Sequence, residues 1–439
     1  MQKGKRKNNI ISSHFPSPLS RGEGLGVRRE ELIEKIHFLS EKLLPEVIQM
    51  RRHLHANPEL SFREFNTSKF IADKLREWKI PFKDGIVKTG IIAEIKGNKT
   101  PSLTGRDGEG HCIALRADMD ALPITEANNI AYKSKNIGVM HACGHDAHTA
   151  SLLGAAKILS QLKNEFSGTV KLIFQPGEEK APGGASLMIK EGVLQHPKPD
   201  SVFAQHVFPS LEAGKVGFRS GKYMASTDEI YILVKGKGGH AAMKGTYVNP
   251  LLIASEILLT LEKKFSNSPL LRRGIRGESI PTILAFGKIE GLGATNVIPD
   301  EVKLEGTLRT MDEAWRKKAQ GIIRKIATAT AKSMGGKCVV TVLKGYPALI
   351  NDKSTTLRAK RSAEEFLGKK NVVELKERMT GEDFSFFAQK VPACFYRLGT
   401  GNKSKGITAG VHTPSFNIDE IALKTGMGLM SWIALSELK

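Results

Sequence analysis

The residue types best suited to chemistry are concentrated in residues 141–148, His-Ala-Cys-Gly-His-Asp-Ala-His, which hold three imidazoles, one thiol and one carboxylate. A thiolate and an imidazole two positions apart can reach one ion only if the backbone turns sharply between them, and Gly144 permits such a turn. Thiolates and imidazoles bind zinc and its first-row neighbours. A lone cysteine or histidine is usually a core residue, but four such groups in one loop before an apolar helix predict a metal site.

Two further groups of donors follow apolar segments that have the pattern of buried strands. Glu178 and Glu179 come after residues 169–174. Because adjacent residues on an irregular turn point in different directions, one carboxylate can bind a metal while its neighbour accepts a proton from an activated water. His206 ends a second strand, and His412 lies in a loop with no amphipathic helix around it. Each has an ordinary alternative, an exposed acidic pair or a core histidine, and their combination with the first loop favours a metal centre.

The composition is that of a globular chain. Its 439 residues and hydrophobic content of 40% are sufficient for two or three domains. The net charge of +21 would suit a nucleic-acid partner, yet residues 1–30 alone carry +5 of it, and no basic stripe alternates with aromatic residues. We therefore expect no nucleic-acid partner. Four scattered cysteines, the lack of a long apolar run and the lack of a secretory signal predict a cytoplasmic protein without a membrane span.

Strands that alternate with helices predict an α/β fold in which a central mixed sheet is flanked by helices. Ligands of such sheets gather at the carboxyl ends of the strands, where the acidic residues and His206 fall. From residue 225 a β-α-β-β-α order predicts an inserted, smaller α+β domain of the ferredoxin-like kind. The expected organisation is a disordered basic segment at 1–30, a discontinuous catalytic domain at 31–224 and 334–439, and the inserted domain at 225–333.

A polar fragment rich in Pro, Gly and Arg recurs between the better-patterned segments, at residues 17–24, 101–110 and 268–278. Its copies are irregularly spaced and no apolar core accompanies them, so a solenoid is excluded. We predict that they are surface insertions of common origin.

Six longer motifs resemble those of the M20 metallopeptidase family, and of its amidohydrolase branch in particular, at residues 115–123, 140–148, 174–179, 236–242, 296–299 and 381–384. That branch includes hippurate hydrolases, indole-acetyl-amino-acid hydrolases and N-acetyl-diaminopimelate deacetylases. The resemblance begins near residue 51 and extends to the C-terminus, apart from the insertions. It implies that the inserted domain is a lid through which the protein forms a homodimer.

The resemblance also implies one or two divalent ions (Zn, Mn, Co or Ni) whose ligands would be Cys143, His145, Glu179, His206 and His412. Glu178 would be the general base, and Asp120 would orient a ligand. His240 of the lid would polarise the carbonyl or stabilise the oxyanion, in its own site or in that of the partner subunit. Asn296 and Arg309 would hold the substrate carboxylate, Arg309 because its fork matches a carboxylate.

The residues and the resemblance together predict a metal-dependent amidohydrolase. Its substrates would be N-acetyl, benzoyl or aryl-acetyl L-amino acids, cleaved into a carboxylic acid and a free amino acid. The alternative is a dipeptidase or carboxypeptidase that uses the same metal centre. Cys143 favours the amidohydrolase, since the peptidase branches resemble one another in having a carboxylate at that position. A non-catalytic binding protein on this fold would lack a ligand or the base, and all of them are present.

Overall fold

The computed structural model describes residues 21–99, 110–266 and 280–438. Within these ranges the main helices are α1 Arg21–Ala56, α2 Phe65–Glu77, α3 His145–Gln161, α4 Gly184–Lys190, α5 Pro250–Ser266, α6 Glu313–Ser333, α7 Lys353–Leu367, α8 Ser385–Ala388 and α9 Ala422–Glu437. The strands are β1 Phe82–Ile86, β2 Gly90–Lys96, β3 Cys112–Asp118, β4 Thr169–Gln175, β5 Ser201–Glu212, β6 Val216–Phe218, β7 Gly221–Met224, β8 Ser226–Lys235, β9 Gly239–His240, β10 Thr282–Glu290, β11 Val297–Ile298, β12 Glu301–Thr310, β13 Lys337–Lys344, β14 Leu349–Asn351, β15 Val372–Glu374 and β16 Ala393–Gly401.

The larger sheet has eight strands in the order β1-β2-β4-β3-β5-β16-β6-β15. Its centre is parallel, since β3 pairs in the same direction with β4 and β5, and β5 with β16. Antiparallel pairs lie towards the edges, between β1 and β2, β2 and β4, and β6 and β16. Every residue of β3, β4 and β16 is buried, as expected for parallel strands covered on both faces. The predicted central mixed sheet is confirmed.

Helices cover both faces of this sheet. On one face α1, α3, α7 and α9 enclose the larger core, in which Trp432 is one of the fully buried side chains. On the other face Met188 of α4 and Phe387 of α8 pack against the sheet. Because both faces are covered, the carboxyl edge of the parallel strands remains as the place where a ligand can reach the sheet.

The smaller domain follows the order β8-α5-β10-β12-α6-β13. Its four-stranded antiparallel sheet has the order β10-β12-β8-β13. Its core contains Ile257 of α5, Ile323 of α6 and Ile232 of β8. A β-α-β-β-α-β unit with two helices on one face of an antiparallel sheet is ferredoxin-like, and the predicted inserted α+β fold is confirmed.

The position of β13 corrects the predicted end of this domain at residue 333, after which the sequence predicts a return to the catalytic domain. β13 pairs with β8 from Lys337↔Lys235 to Lys344↔Asp228, so the small sheet includes residues up to Lys344. A strand with alternating apolar residues could belong to either sheet. Which sheet it joins depends on its pairing with β8, which lies at the other end of the inserted segment.

The first described helix also begins earlier than expected, because α1 includes residues 21–30, which the sequence predicts to be disordered. Arg29 pairs with Glu365 of α7 at 2.7 Å, and its guanidinium lies 4.9 Å from the ring centroid of Trp432. These contacts attach the start of α1 to the catalytic domain. Residues 1–20, 100–109 and 267–279 lie outside the described residues, and with them most of the recurring polar fragments.

Among the helices of the described ranges, none combines the length and the hydropathy that a membrane crossing requires.

A buried ion pair fastens the small domain to the segment that leaves it. Asp228 accepts hydrogen bonds from Nη2 and Nε of Arg316 at 2.6 and 3.0 Å and from Gln320 at 2.7 Å. The two charged side chains are 0% and 1% exposed. Nη2 of Arg316 also donates to the Gly345 carbonyl at 3.1 Å.

We expect Asp228→Asn to lower the free energy of unfolding by about 3 kcal/mol, because it leaves the Arg316 charge buried without its partner. The midpoint of urea denaturation measures this loss. Glu229→Gln, at the exposed neighbour on β8, is the control and should stay within about 0.5 kcal/mol of wild type. Equal midpoints for the two variants would contradict the expectation.

Candidate active site

The candidate donors gather at the carboxyl edge of the central sheet, although β5 extends to Glu212 and does not end at His206 as the sequence predicts. Glu178 and Glu179 follow β4, Asp120 follows β3, and His206 lies within β5 on the other side of β3. Parallel neighbours bring these ends to one edge of the sheet. His412 reaches the same edge from the loop between β16 and α9.

Cys143 is the residue that the donor groups share. Its Sγ lies 3.4 Å from Nε2 of His206 and 3.3 Å from Nε2 of His412. Oε1 of Glu179 lies 3.3 Å from Nε2 of His412 and 3.8 Å from Nε2 of His145. The side chains form two overlapping triads, Cys143-His145-His206 and Cys143-Glu179-His412. The structure thus brings together the five residues that the sequence predicts as metal ligands.

The turn at Gly144 makes this convergence possible. Gly144 has a φ of +81°, and a Cβ atom there would lie 2.6 Å from Cγ2 of Val207. A left-handed backbone is unfavourable for a residue with a Cβ atom, and the close side chain leaves no space for one. The turn separates Cys143 from His145, the first residue of α3, so that thiol and imidazole face the same pocket.

A divalent cation fits this set of donors. Nε2 of His145 and Oε1 of Glu179 are buried and form no hydrogen bond within the described part of the chain, and such atoms are uncommon without a ligand. Burial, and then the charge of Glu179, raises the pKa of the Cys143 thiol, so a thiolate here needs a cation beside it. Burial lowers the pKa of His206, which keeps that imidazole neutral and able to coordinate.

Asp120 supports the donors from behind. Its Oδ1 lies 3.2 Å from Nδ1 of His145 and accepts the backbone N–H of Glu178 at 3.0 Å. Its Oδ2 accepts the backbone N–H of Glu179 at 3.0 Å and the Ser61 hydroxyl at 2.6 Å. One carboxylate therefore orients the imidazole with Nε2 towards the pocket and also sets the turn that carries both glutamates.

The pocket has an excess of negative charge. Burial acts to lower the pKa of His145, but Asp118 and Asp120 outweigh it and raise that pKa to about 10. Burial and then the charge of Glu382 raise the pKa of Glu178 well above its usual value. Both shifts have the same consequence, since a positive charge placed among these groups is stabilised.

Two residues without a role in the sequence analysis complete the pocket. Nδ1 of His148 lies 2.5 Å from Oδ1 of Asp118, and its Nε2 accepts the Val207 backbone N–H at 2.9 Å. Because both ring nitrogens are occupied, His148 is a support rather than a metal ligand. The Tyr346 hydroxyl donates to the Glu178 carbonyl oxygen at 2.5 Å. The sequence places His148 in the histidine-rich stretch without separating it from the donors, and no local pattern distinguishes Tyr346.

A cavity of about 780 Å³ opens over the donors, between the two domains. Glu178 and Glu179 line it from the catalytic domain, while Ile283 and Arg309 line it from the small domain. Its volume lies within the range of roughly 300–1,000 Å³ that is typical of small-molecule sites.

His240 and Asn296 do not line this cavity. They lie on the ribbon of β9 and β11, where His240 is opposite Val297 and the Ala241 N–H donates to the Asn296 carbonyl at 3.0 Å. Both residues are exposed. Of the three residues that the sequence assigns to the substrate or the oxyanion, Arg309 is the one that reaches the cavity of its own chain.

An α/β domain that presents thiol, imidazole and carboxylate donors below a cavity of this size has the features of a metal-dependent enzyme. Residues 114–434 match the sequence profile of Peptidase family M20/M25/M40. The chain belongs to this family, and it is a hydrolase that acts on amide bonds.

Two relatives and one solved structure show the range of the similarity. N-acetylcysteine deacetylase of Bacillus subtilis strain 168 is 38% identical over 379 residues, 86% of this chain and 93% of that protein. Thermostable carboxypeptidase 2 of Saccharolobus solfataricus is 36% identical over 403 residues, 90% of this chain and 96% of that protein. A crystal structure from Bacillus subtilis, described as a dinuclear metal binding peptidase from the M20 family, has a TM-score of 0.76 and 34% identity and covers 91% of this chain and 99% of its own. Family and donors together support divalent metal ions.

We expect Asp120→Asn to lower the affinity for Co²⁺ by about 10- to 100-fold, because the amide cannot accept all the hydrogen bonds that orient His145 and the two glutamates. Competition with a chelator of known affinity measures the change. Asp84→Asn, at an exposed aspartate of β1, is the matched control. Equal cobalt affinities for the two variants would show that Asp120 does not support the donors.

Proposed function

We propose that this protein hydrolyses the amide bond of N-acyl-L-amino acids of the N-acetyl, benzoyl or aryl-acetyl type, releasing a carboxylic acid and a free amino acid. The observation that carries the proposal is the position of Glu178, a buried carboxylate grouped with His145 and Glu179 but outside the two triads that share Cys143. A carboxylate that is beside a metal centre without being needed as a ligand can accept a proton from water.

The second candidate function is a peptidase of the carboxypeptidase or dipeptidase type. The similarity to thermostable carboxypeptidase 2 favours it, and the same donors and base would serve both reactions. The thiol donor Cys143 and the similarity to N-acetylcysteine deacetylase favour the amidohydrolase. A panel of N-acetyl amino acids, hippurate and unblocked dipeptides separates the two, since the preferred substrate identifies the class.

The residues of this chain divide the work of such a hydrolysis among them. One or two divalent ions (zinc, manganese, cobalt or nickel) would supply, when bound, the Lewis acidity that polarises the amide carbonyl and acidifies water. Cys143, His145, Glu179, His206 and His412 would hold the ions. Glu178 would take the proton of the attacking water on its carboxylate and give it to the leaving amine nitrogen. Asp120 and Tyr346, which bind the backbone of Glu178, keep that carboxylate in position.

The small domain would contribute to the site as a lid and as a dimer interface. His240 would stabilise the oxyanion and Asn296 would bind the substrate carboxylate, and their exposure outside their own cavity supports an action in the partner subunit's site. On α5 Leu252 and Leu259 are 61% and 57% exposed, an apolar surface suited to a homodimer contact. Arg309 would bind the carboxylate from the small-domain wall of the cavity.

We also propose a cytoplasmic location. All four cysteines are free, and three of them are buried, as is usual in a reducing compartment. The metal centre itself uses one of these thiols, which oxidation would remove as a ligand.

We expect Glu178→Gln to lower kcat for N-acetyl-L-amino acids by about 10²- to 10⁴-fold, because the amide cannot accept the proton of water. Initial rates with metal-loaded protein measure the loss, and metal analysis should give the same content as for wild type. Glu212→Gln, at an exposed glutamate of β5, is the control. Unchanged turnover by Glu178→Gln would remove Glu178 as the base.

A mixture of two inactive variants tests whether His240 acts in the partner subunit. After subunit exchange of Glu178→Gln with His240→Ala, we expect about one quarter of the wild-type activity, because half of the dimers are mixed and each mixed dimer has one complete site. The separate variants measured at the same concentration are the controls. If the mixture is no more active than its components, His240 acts within its own chain or not at all.

A further inference from the structure

The cavity has a cationic wall on the catalytic-domain side, formed by Arg378 and Arg397, and neither arginine forms an ion pair with a described residue. Four arginine side chains of the described residues are almost completely buried. Three of them are matched by aspartates, in the pairs Arg51–Asp146, Arg116–Asp118 and Arg316–Asp228 at 2.7, 2.6 and 2.6 Å. The fourth, Arg397, is 4% exposed and forms no ion pair within residues 21–99, 110–266 and 280–438. Buried charges are normally paired, so Arg397 is the exception that needs a reason.

The contacts of Arg397 are to neutral groups. Its Nε donates to the Tyr223 hydroxyl at 2.8 Å, and its Nη2 lies 3.3 Å from the sulfur of Met224. Its guanidinium lies 5.1 Å from the ring centroid of Phe395. These contacts orient the fork. The charge of Arg397 acts to lower the pKa of the buried Glu382 without forming a direct ion pair with it, and Glu382 is paired with Arg116 at 3.2 Å.

A second guanidinium with the same property lies beside it. Arg378 stacks over Phe208 at 4.9 Å, and its Nε is buried without a hydrogen bond from any described residue. Burial, and then the like charge of Arg397, lowers the pKa of Arg378. Two arginines close enough to repel each other line the same cavity, an arrangement that becomes favourable when an anion lies between them.

This wall adjoins the donor cluster. Arg397 of β16 is the register partner of His206 on the parallel strand β5, and side chains at paired positions of neighbouring strands lie on the same face of the sheet. The cationic wall therefore lies one strand away from a candidate metal ligand. In an N-acyl amino acid a single carbon separates the amide nitrogen from the carboxylate, so a carboxylate beside Arg397 leaves the amide close to the donors.

We propose that Arg378 and Arg397 form an anion subsite on the catalytic-domain wall that binds the α-carboxylate of the substrate. This inference rests on the proposed function and deepens it, since it makes a free carboxylate a requirement of the substrate. Arg309 approaches the same cavity from the small domain. Arg378 and Arg397 belong to the catalytic domain, so their binding of the anion does not depend on the position of the small domain. Both arginines are positioning residues for the amide rather than participants in proton transfer.

The test compares N-acetyl-L-alanine with N-acetyl-L-alaninamide, which lacks the anionic carboxylate. We expect Arg378→Gln to raise KM for N-acetyl-L-alanine by about 10- to 100-fold with little change in kcat, and to leave kcat/KM for the amide unchanged. Arg397→Lys, which keeps the charge and loses the fork, should shift KM in the same direction. Arg219→Gln is the control, because Arg219 pairs with Glu377 at 3.0 Å outside the cavity. An undiminished preference for the carboxylate in Arg378→Gln overturns the subsite.

Binding to protein that cannot turn over separates this inference from the proposed reaction. Calorimetry on metal-loaded Glu178→Gln and on Glu178→Gln combined with Arg378→Gln should give dissociation constants for N-acetyl-L-alanine that differ by about 10-fold or more. Loss of binding in the double variant, without hydrolysis by wild type, supports the subsite and refutes the reaction. Hydrolysis by wild type with equal binding by the two variants refutes the subsite and supports the reaction. Thermal unfolding shows whether Arg397→Lys folds. If it does not, the results for Arg378→Gln, at a half-buried position, decide the test.

Discussion

The site depends on a concentration of acidic groups at the carboxyl edge of the central sheet, which the fold can bury only with positive charge beside them. Arg116 pairs with Asp118 at 2.6 Å, and Nδ1 of the neutral His148 imidazole lies 2.5 Å from the other oxygen of that carboxylate. Cys143 and Glu179 lie beside the imidazoles of His206 and His412 and close to each other, so the thiol has an acidic neighbour as well. Because buried anions without counterions are strongly unfavourable, a divalent ion completes the charge balance that the chain begins.

Rigid elements keep this balance in place. Glu178 and Glu179 follow the fully buried strand β4, and Asp120 ties the imidazole of His145 to the backbone that carries these two glutamates. The positions of these donors are preserved because displacing one of them would break several hydrogen bonds at once. The opposite wall of the cavity belongs to a domain with its own core.

Local patterns were sufficient for the parts of the structure that depend on near neighbours. The spacing of Cys143, Gly144 and His145 predicts the left-handed turn, and the alternation of strands and helices predicts the mixed sheet. The same patterns could not assign β13 to the small sheet, because its periodicity suits any half-buried strand. They also could not separate His148 from the donors, since three histidines share one stretch and differ in the partners that the fold gives them.

The sequence by itself determined the kinds of candidate donor and the family to which the chain is similar, since residue type and short spacing carry that information. The tertiary structure alone decided that His240 and Asn296 lie outside the cavity of their own chain and that Arg378 and Arg397 line it without an ion pair to any described residue. The physical reason is that the exposure of a side chain and the pairing of its charge depend on contacts with segments that are far away in the sequence. Arg397, for example, comes to lie beside His206 only when β16 pairs with β5.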